Sequence, residues 1–310
     1  MHRSYQVERG VLTETMGEDY TVQVYVSPNE DERHFLISEM DIDEHTLHSA
    51  LDPDELSRLE FEPEHMAVIF KRPCNQTLVE GSDAHLEFKV ASVGVFVYQD
   101  RLLAIQSEDM PVYPGQKPVN RELSLREVLL RMLYRTISHF VEHLRAINMM
   151  VDAIEKEINR SFENRHLISL FALEKSLVYY LNAINANESL LMKMRNNASK
   201  IGFTPDELEM LDDITIENNQ CARQAQIYTN ILAGMMDARV SIVSNNLNVL
   251  MKTLTMITIC LQVPTMVVSI FSMNVRLPIS YENPLSFWFV MSLAVLALAS
   301  FTLLWRWRRW

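Results

Sequence analysis

Glycine, cysteine and basic charge are all in short supply in this chain, and each scarcity removes a class of function. With seven glycines in 310 residues, there is no Gly-rich loop to cradle a phosphate on backbone N–H groups. The three cysteines, Cys74, Cys221 and Cys260, are widely separated and odd in number. They fit a reducing compartment, and form neither a disulfide framework nor a thiolate zinc site. The 28 Lys and Arg are outnumbered by 40 Asp and Glu, for a net charge of −12 carried before the apolar C-terminal region. A nucleic-acid partner, which needs a basic face, is therefore not expected, whereas a cation ligand is easily accommodated. Met1-His-Arg-Ser leads into polar sequence, so no signal peptide is expected.

Charge of either sign is missing from two long stretches near the C-terminus. No charged residue occurs from Thr253 to Phe271, and at ~1.5 Å per residue this run crosses most of a ~30 Å hydrocarbon core. A turn-rich segment with Pro278, Asn283 and Pro284 follows, and then Leu285 to Trp305 is again uncharged. The chain ends Trp305-Arg-Trp-Arg-Arg-Trp310, a mixture suited to the cytoplasmic interface of a membrane. Two spans put both termini on one side, so the N-terminal part is expected in the cytoplasm, under a cytoplasmic (inner) membrane. Lys252, just before the first span, agrees.

What the first span contains is as telling as what it lacks. Asn248, Thr255, Thr258, Gln262, Thr265, Ser269 and Ser272, completed by Met251, recur at three- and four-residue steps and so line one face of a helix. A single helix cannot hide such a stripe from lipid, which predicts several copies packed around a shared axis.

The preceding sequence changes character at about residue 120. Before it, Thr21 to Val26, His65 to Phe70, Leu86 to Val90, and a hairpin of Val93 to Tyr98 with Leu102 to Gln106 read as strands. The acidic segments Ser38 to Ala50 and Asp54 to Leu59 read as helices. Met110-Pro-Val-Tyr-Pro-Gly with Pro118 is a natural linker. Helical patterns then fill Leu123 to Ile158 and His166 to Met194. A third helix starts at Thr204-Pro-Asp-Glu207, a capping box with proline in the first turn. From there to Asn274 the only proline is Pro264 and the only glycine Gly234; if continuous, a helix of about 70 residues reaches ~105 Å. Such a length makes sense as a stalk carried from the cytoplasm into the bilayer. The expected segments are an α/β domain over 1–118, a helical region over 119–203, the stalk over 204–252 and the pore-lining span over 253–274. An external loop over 275–284, a second span over 285–305 and a basic tail over 306–310 complete the chain.

Ser244-Asn-Asn-Leu-Asn248-Val-Leu-Met251-Lys-Thr-Leu254-Thr, followed by Pro264-Thr265 and Phe271-Ser-Met-Asn274, resembles the CorA family of magnesium and divalent-cation channels. The resemblance is close over the stalk and both spans, and reaches the N-terminal domain by class. It implies an α+β cytoplasmic domain followed by long stalk helices and a two-helix transmembrane hairpin, assembled as a homopentameric funnel. Hydrated Mg²⁺, or Co²⁺ or Ni²⁺, is the implied cargo, with no other cofactor. The family's Gly-Met-Asn signature stands here as Ser272-Met273-Asn274.

By that resemblance Asn274 is the selectivity residue, with Thr265 and Asn248 as further polar rings, and Met251 and Leu254 as constrictions that close by dewetting. Mg²⁺ dehydrates reluctantly, so neutral amide oxygens can select it with its waters in place. With no carboxylate in the span, the drive is external: a divalent ion gains ~4.6 kcal/mol per 100 mV of inside-negative potential. Ser272 adds a side chain where the family has glycine, which is costly if the turn needs positive φ. Arg276 puts positive charge at a cation entrance where Glu282 is the loop's only acid. Counted back from Asn274, Asp213 matches a stalk aspartate that binds regulatory metal in the family. Asp212 and Glu209 lie beside it, and the alternative reading is a solvated acidic face. Two further alternatives are zinc transport of the ZntB type and a non-conducting scaffold or sensor of CorA-like build. His139-Phe-Val-Glu142-His143 matches the zinc helix of inverted zincins by letter. Without a further carboxylate ligand and a cleft it reads as packing or solvated residues, and no enzymatic activity is expected.

Overall fold

Alternation with period two builds the first part of the chain. Val22, Val24 and Val26 belong to one buried cluster and Tyr25 to another; Leu102 and Ala104 oppose Leu103 and Ile105, and Val93 and Val95 oppose Phe96. The computed structural model describes residues 2–8, 11–15, 20–74, 77–79, 85–109, 111, 123–158, 164–273, 275 and 285–308. Its strands are β1 (His2–Glu8), β2 (Val11–Thr15), β3 (Val22–Val26), β4 (Arg58–Phe61), β5 (Met66–Pro73), β6 (Thr77–Val79), β7 (His85–Glu87), β8 (Val90–Val97) and β9 (Leu102–Gln106). Seven of them form one sheet in the order β2-β1-β3-β9-β8-β5-β4, and β6 pairs with β7 alone. Within the large sheet β3 and β9 run parallel and every other neighbour antiparallel. The expected hairpin is β8–β9, with Val97 opposite Leu102.

Helices cover both faces of the sheet. Helices α1 (Glu30–Ser38) and α2 (Glu44–Leu51) bring Leu36, Leu47 and Ala50 onto Tyr25, Phe96, Leu103 and Ile105. Helix α2 lies so close to β8 that a side chain at Gly94 would collide with Ala50. The opposite face is covered by α3 (Leu125–Ile158) and α4 (Asn164–Asn196), whose Leu129, Leu133, Phe140, Leu177 and Tyr180 join Val68, Phe70, Val95 and Ala104 in the larger core. A short α5 (Ala198–Ile201) ends in Gly202 at φ +79°, the left-handed cap that glycine adopts without cost. Then α6 (Pro205–Phe271) and α7 (Leu285–Arg308) follow.

A side-chain amide fixes α4 against the sheet. Asn187, on α4, accepts the Lys71 backbone N–H at Oδ1 and donates from Nδ2 to the Lys71 carbonyl, both at 2.8 Å, while Ser57 Oγ donates to the same Oδ1 at 2.9 Å. These three bonds satisfy a buried polar group that burial would otherwise penalise.

Two helical expectations need correction. The helix read over Ser38 to Ala50 occupies only its second half, because residues 39–43 turn, with Asp41 at φ +52°, and Asp43 caps α2 through the Thr46 N–H. The acidic segment preceding it, Glu30 to Ser38, is helical, opened by a capping box between Asn29 and Glu32. Asp54 to Leu59 is not a helix: its first part turns, and Arg58–Phe61 is edge strand β4, antiparallel to β5. Its alternation is the reason, since Leu59 and Phe61 pack on the core while Arg58 pairs with Glu60 at 3.2 Å.

The chain divides into two compact units, Met1–Met236 and Asp237–Trp310. The proline-rich linker around 112–122 lies outside the described residues.

Candidate functional site

Helix α6 begins as its sequence predicts. Thr204 N–H donates to Glu207 Oε2 at 2.8 Å, and Glu207 N–H donates to Thr204 Oγ1 at 3.3 Å, completing the capping box. Ser124 Oγ, at the start of α3, also donates to Glu207, which is buried. The cap is thereby tied to the core of the first unit. From Pro205 to Phe271 the helix is uninterrupted, with Pro264 inside it. It and Leu285–Trp307 are long and apolar enough to cross a membrane.

Continuity puts the polar stripe on one side of α6. At ~100° per residue, Met251, Thr255, Thr258, Gln262, Thr265 and Ser269 cluster on one face, and all are exposed in the single chain, as is Asn248. Met256, Cys260, Val263, Val267 and Phe271, which are partly covered, fall on the opposite face. In α7 the covered positions are Ser286, Val290, Ala294, Ala297, Leu298 and Phe301, and Ala294 is buried. Ser286, Ala294 and Ala297 are the small side chains of this seam, of the kind that lets helix backbones approach closely. It is a signal the sequence carried and the stripe overshadowed.

Within the stripe the threonine hydroxyls are locally satisfied. Thr255 Oγ1 donates to the Met251 carbonyl at 2.8 Å, Thr258 to Leu254 at 2.9 Å and Thr265 to Leu261 at 2.7 Å. Each oxygen retains acceptor lone pairs after donating, so the face can accept hydrogen bonds from water or from the hydration shell of a cation. Asn248 and Gln262 make no side-chain hydrogen bond to another described residue, while Met251 and Leu254 are 62% and 60% exposed.

The helix ends at the signature. Ser272 N–H donates to the Val268 carbonyl at 3.2 Å, and its Oγ donates to Ser269 at 3.0 Å. Among the described residues the non-glycine positions with positive φ are Ser27 and Asp41. Ser272 therefore sits in backbone that any L-residue adopts, and the cost foreseen for a Cβ there does not arise. Met273 is exposed. Asn274, Arg276 and Glu282 lie outside the described residues.

The acidic start of α6 divides by role. Glu207 is committed to the cap, and Asp212 accepts from Arg195 Nε of α4 at 2.7 Å. Asp213 and Glu209 are exposed and form no ion pair among the described residues. The histidine motif of α3 is engaged differently. His143 is buried with Nδ1 at 2.6 Å from Tyr180 Oη, the His139 ring lies 4.4 Å from it, and Glu142 accepts from Arg135 at 2.8 Å. Burial, with positive charge at Arg72 and Arg135, holds His139 down at about 4, and burial also lowers His143. No group of three or more His, Cys, Asp or Glu converges on a metal site among the described residues.

Comparison with known proteins agrees with this architecture. The chain is 24% identical over 311 aligned positions to the cobalt/magnesium transport protein CorA of Methanocaldococcus jannaschii, covering 96% of this chain and 94% of that one. The complete structure of the CorA magnesium transporter from the same organism superposes with a TM-score of 0.79 at 21% identity, covering 99% and 97% of the two chains. The full-length CmaX protein follows with a TM-score of 0.71 at 15% identity, covering 99% and 97%. The family described as CorA-like Mg²⁺ transporter protein matches residues 24–309. With its α/β unit, its uninterrupted α6 and its second apolar helix, the chain belongs to the CorA family of divalent-cation transporters.

Proposed function

We propose that five copies of this chain surround a pore lined by the polar stripe of α6 and conduct hydrated divalent cations, Mg²⁺ foremost, across the cytoplasmic membrane. The observation that carries this reading is the placement of the stripe. It lies on the exposed face of an uninterrupted helix, opposite the partly covered face, and leads directly into Ser272-Met273-Asn274. A lone polar stripe is untenable in lipid, and closing a ring of copies turns it inward. The relative from Methanocaldococcus jannaschii, named for cobalt and magnesium transport, supports the cargo class.

In this reading 204–252 is the stalk, 253–274 the pore-lining span, 275–284 the external loop, 285–305 the outer span and 306–310 a basic cytoplasmic tail, with both termini in the cytoplasm. Asn274 supplies the filter, beside Ser272 and Met273, and Arg276 and Glu282 set the charge of the entrance. Asn248, Thr255, Thr258, Gln262, Thr265 and Ser269 wet the pore, and Met251 and Leu254 close it by dewetting. Asp213 and Glu209 remain open to bind regulatory metal, whereas Asp212 takes part only on leaving Arg195. Serine in place of glycine is compatible with conduction, because the helix end holds it without positive φ.

Ion flux into liposomes holding the native protein, under an imposed inside-negative potential, tests the proposal. Mg²⁺ entry is expected, with Asn274→Ala lowering it about tenfold or admitting ions the native pore rejects. Flux of no ion through the native protein, together with flux after Ser272→Gly, would sink the channel reading in favour of a scaffold. Indifference to Asn274→Ala would remove the filter, and preferential Zn²⁺ entry would change the cargo.

A further inference from the structure

The outward side of α7 has a use that ion transport does not account for. Laid out at ~100° per residue, the covered positions of this helix gather on one side. The opposite side carries Val295, Leu296, Ala299, Leu303, Arg306 and Trp307, all exposed. Leu296 is 65%, Leu303 68% and Trp307 81% exposed. Small Ala299 lies between Leu296 and Leu303 on one flank and Val295 on the other, so a shallow furrow runs along the helix toward Arg306. From Leu296 to Arg306 the rise is ~15 Å, the depth of one leaflet of a ~30 Å hydrocarbon core.

Polar groups along this helix are satisfied locally until Arg306 is reached. Ser292 Oγ donates to the Phe289 carbonyl at 2.8 Å, Ser300 to Ala297 at 2.9 Å and Thr302 to Ala299 at 2.9 Å. Their donors are therefore occupied, and the furrow suits hydrocarbon. Arg306 is different: it is exposed and makes no hydrogen bond or ion pair among the described residues. Its own unit offers no counter-charge at that level. From Asp237 onward the carboxylates of the sequence are Asp237 and Glu282. Asp237 precedes Lys252, at the mouth of the first span, by ~22 Å of helix, and Glu282 lies between the two spans, at the other end of both. Arg308 and Arg309 extend the positive run, within a chain whose net charge is −12.

The anion for Arg306 must then come from outside the unit, and the apolar face beside it says which kind. A free phosphate or an acidic peptide would meet the guanidinium and leave Leu296 and Leu303 uncovered. A phospholipid covers both with one molecule: its phosphate pairs with the cation, its acyl chain fills the furrow, and the Trp307 indole N–H can donate to the ester oxygens at the interface. Phosphatidylcholine brings its own cation to the phosphate, so a headgroup with net negative charge fits better.

We propose that the outward face of α7 holds an anionic diacyl phospholipid of the cytoplasmic leaflet, with its phosphate at Arg306 and an acyl chain along Leu303, Ala299 and Leu296. The inference rests on the two-span reading of the chain, and is independent of which ion is conducted.

Quenching of tryptophan fluorescence by brominated lipid tests it. The full chain carrying Trp288→Phe keeps tryptophans only at the basic end of α7. It is reconstituted in phosphatidylcholine vesicles containing brominated phosphatidylglycerol, or brominated phosphatidylcholine in the same proportion, with the bromines near the headgroup. The relative association constant should favour phosphatidylglycerol about fivefold, and Arg306→Gln should bring it close to one. Lys252→Gln, which removes a cation from the same membrane interface outside the furrow, should leave the preference unchanged, and added glycerol 1-phosphate should not relieve the quenching. Unfolding midpoints in detergent identify a misfolded variant. Equal quenching of the native tryptophans by both lipids overturns the site while leaving the two spans in place. Preference that survives Arg306→Gln, or falls equally with Lys252→Gln, overturns it in favour of diffuse surface attraction, and relief by glycerol 1-phosphate overturns the lipid as the source of the phosphate. Quenching by neither lipid sinks the two-span reading and this proposal with it.

Discussion

The two compact units bury their apolar side chains by opposite means. In Met1–Met236 both faces of the sheet are covered, and Val68, Ile69, Phe96, Leu129, Phe140 and Tyr180 are wholly inaccessible. In Asp237–Trp310 the one buried apolar residue among those described is Ala294, while Leu247, Leu250, Leu254, Leu261 and Leu296 are all more than half exposed. At ~25 cal/mol per Å² of apolar surface, leaving such helices in water is untenable. The first unit therefore carries its own core, and on the proposed reading the second is completed by lipid and by other copies of the chain.

Core truncation is the harshest test of that contrast. Phe140→Ala, in the shared core of α3, α4 and the sheet, should cost about 3–5 kcal/mol, read as a lower denaturant midpoint of the full chain in detergent. A loss below about 1 kcal/mol would mean that the first unit does not depend on this core.

Acid is the next perturbation. His139 is held at about 4 in the fold, against its ordinary 6.5. The unfolded chain thus takes up the proton first: stability is full above pH 6.5 and falls as the pH drops toward 4. The loss is about 2 kcal/mol after allowance for the ring's partial exposure. It should centre on the first unit, and His139→Gln should flatten the pH profile between those limits. A profile unchanged by that substitution would remove His139 as the cause.

The smallest effect belongs to the second unit. Leu261→Ala, at a position 68% exposed in the single chain, should shift the unfolding midpoint of the monomer by less than about 0.5 kcal/mol. A larger shift in detergent would show that neighbouring copies already pack on that face.

Legibility in the sequence followed the range of the interactions. Val22–Val26, the β8–β9 hairpin, the α6 capping box and the stripe are local patterns, and each could be read by period or spacing. Strands β1 and β2 escaped because His2–Glu8 and Val11–Thr15 are polar runs at the sheet edge. Strand β4 reads as helix in the sequence because acidic residues dominate its approach. The Asn29–Glu32 capping box is the local sign of α1. The strand order and the tie from Ser124 to Glu207 join residues distant in sequence, and no spacing rule announces them.

Asn187 shows what such a distant tie demands of the genetic alphabet. Lys71 offers one donor and one acceptor from its backbone, and the carboxamide reads both at once, much as one base edge reads another. Aspartate lacks the donor, leucine lacks both groups, and glutamine overshoots by a methylene. A codon change that would be silent on the helix surface thus becomes a misreading here, and the helix is held to a single register by one letter.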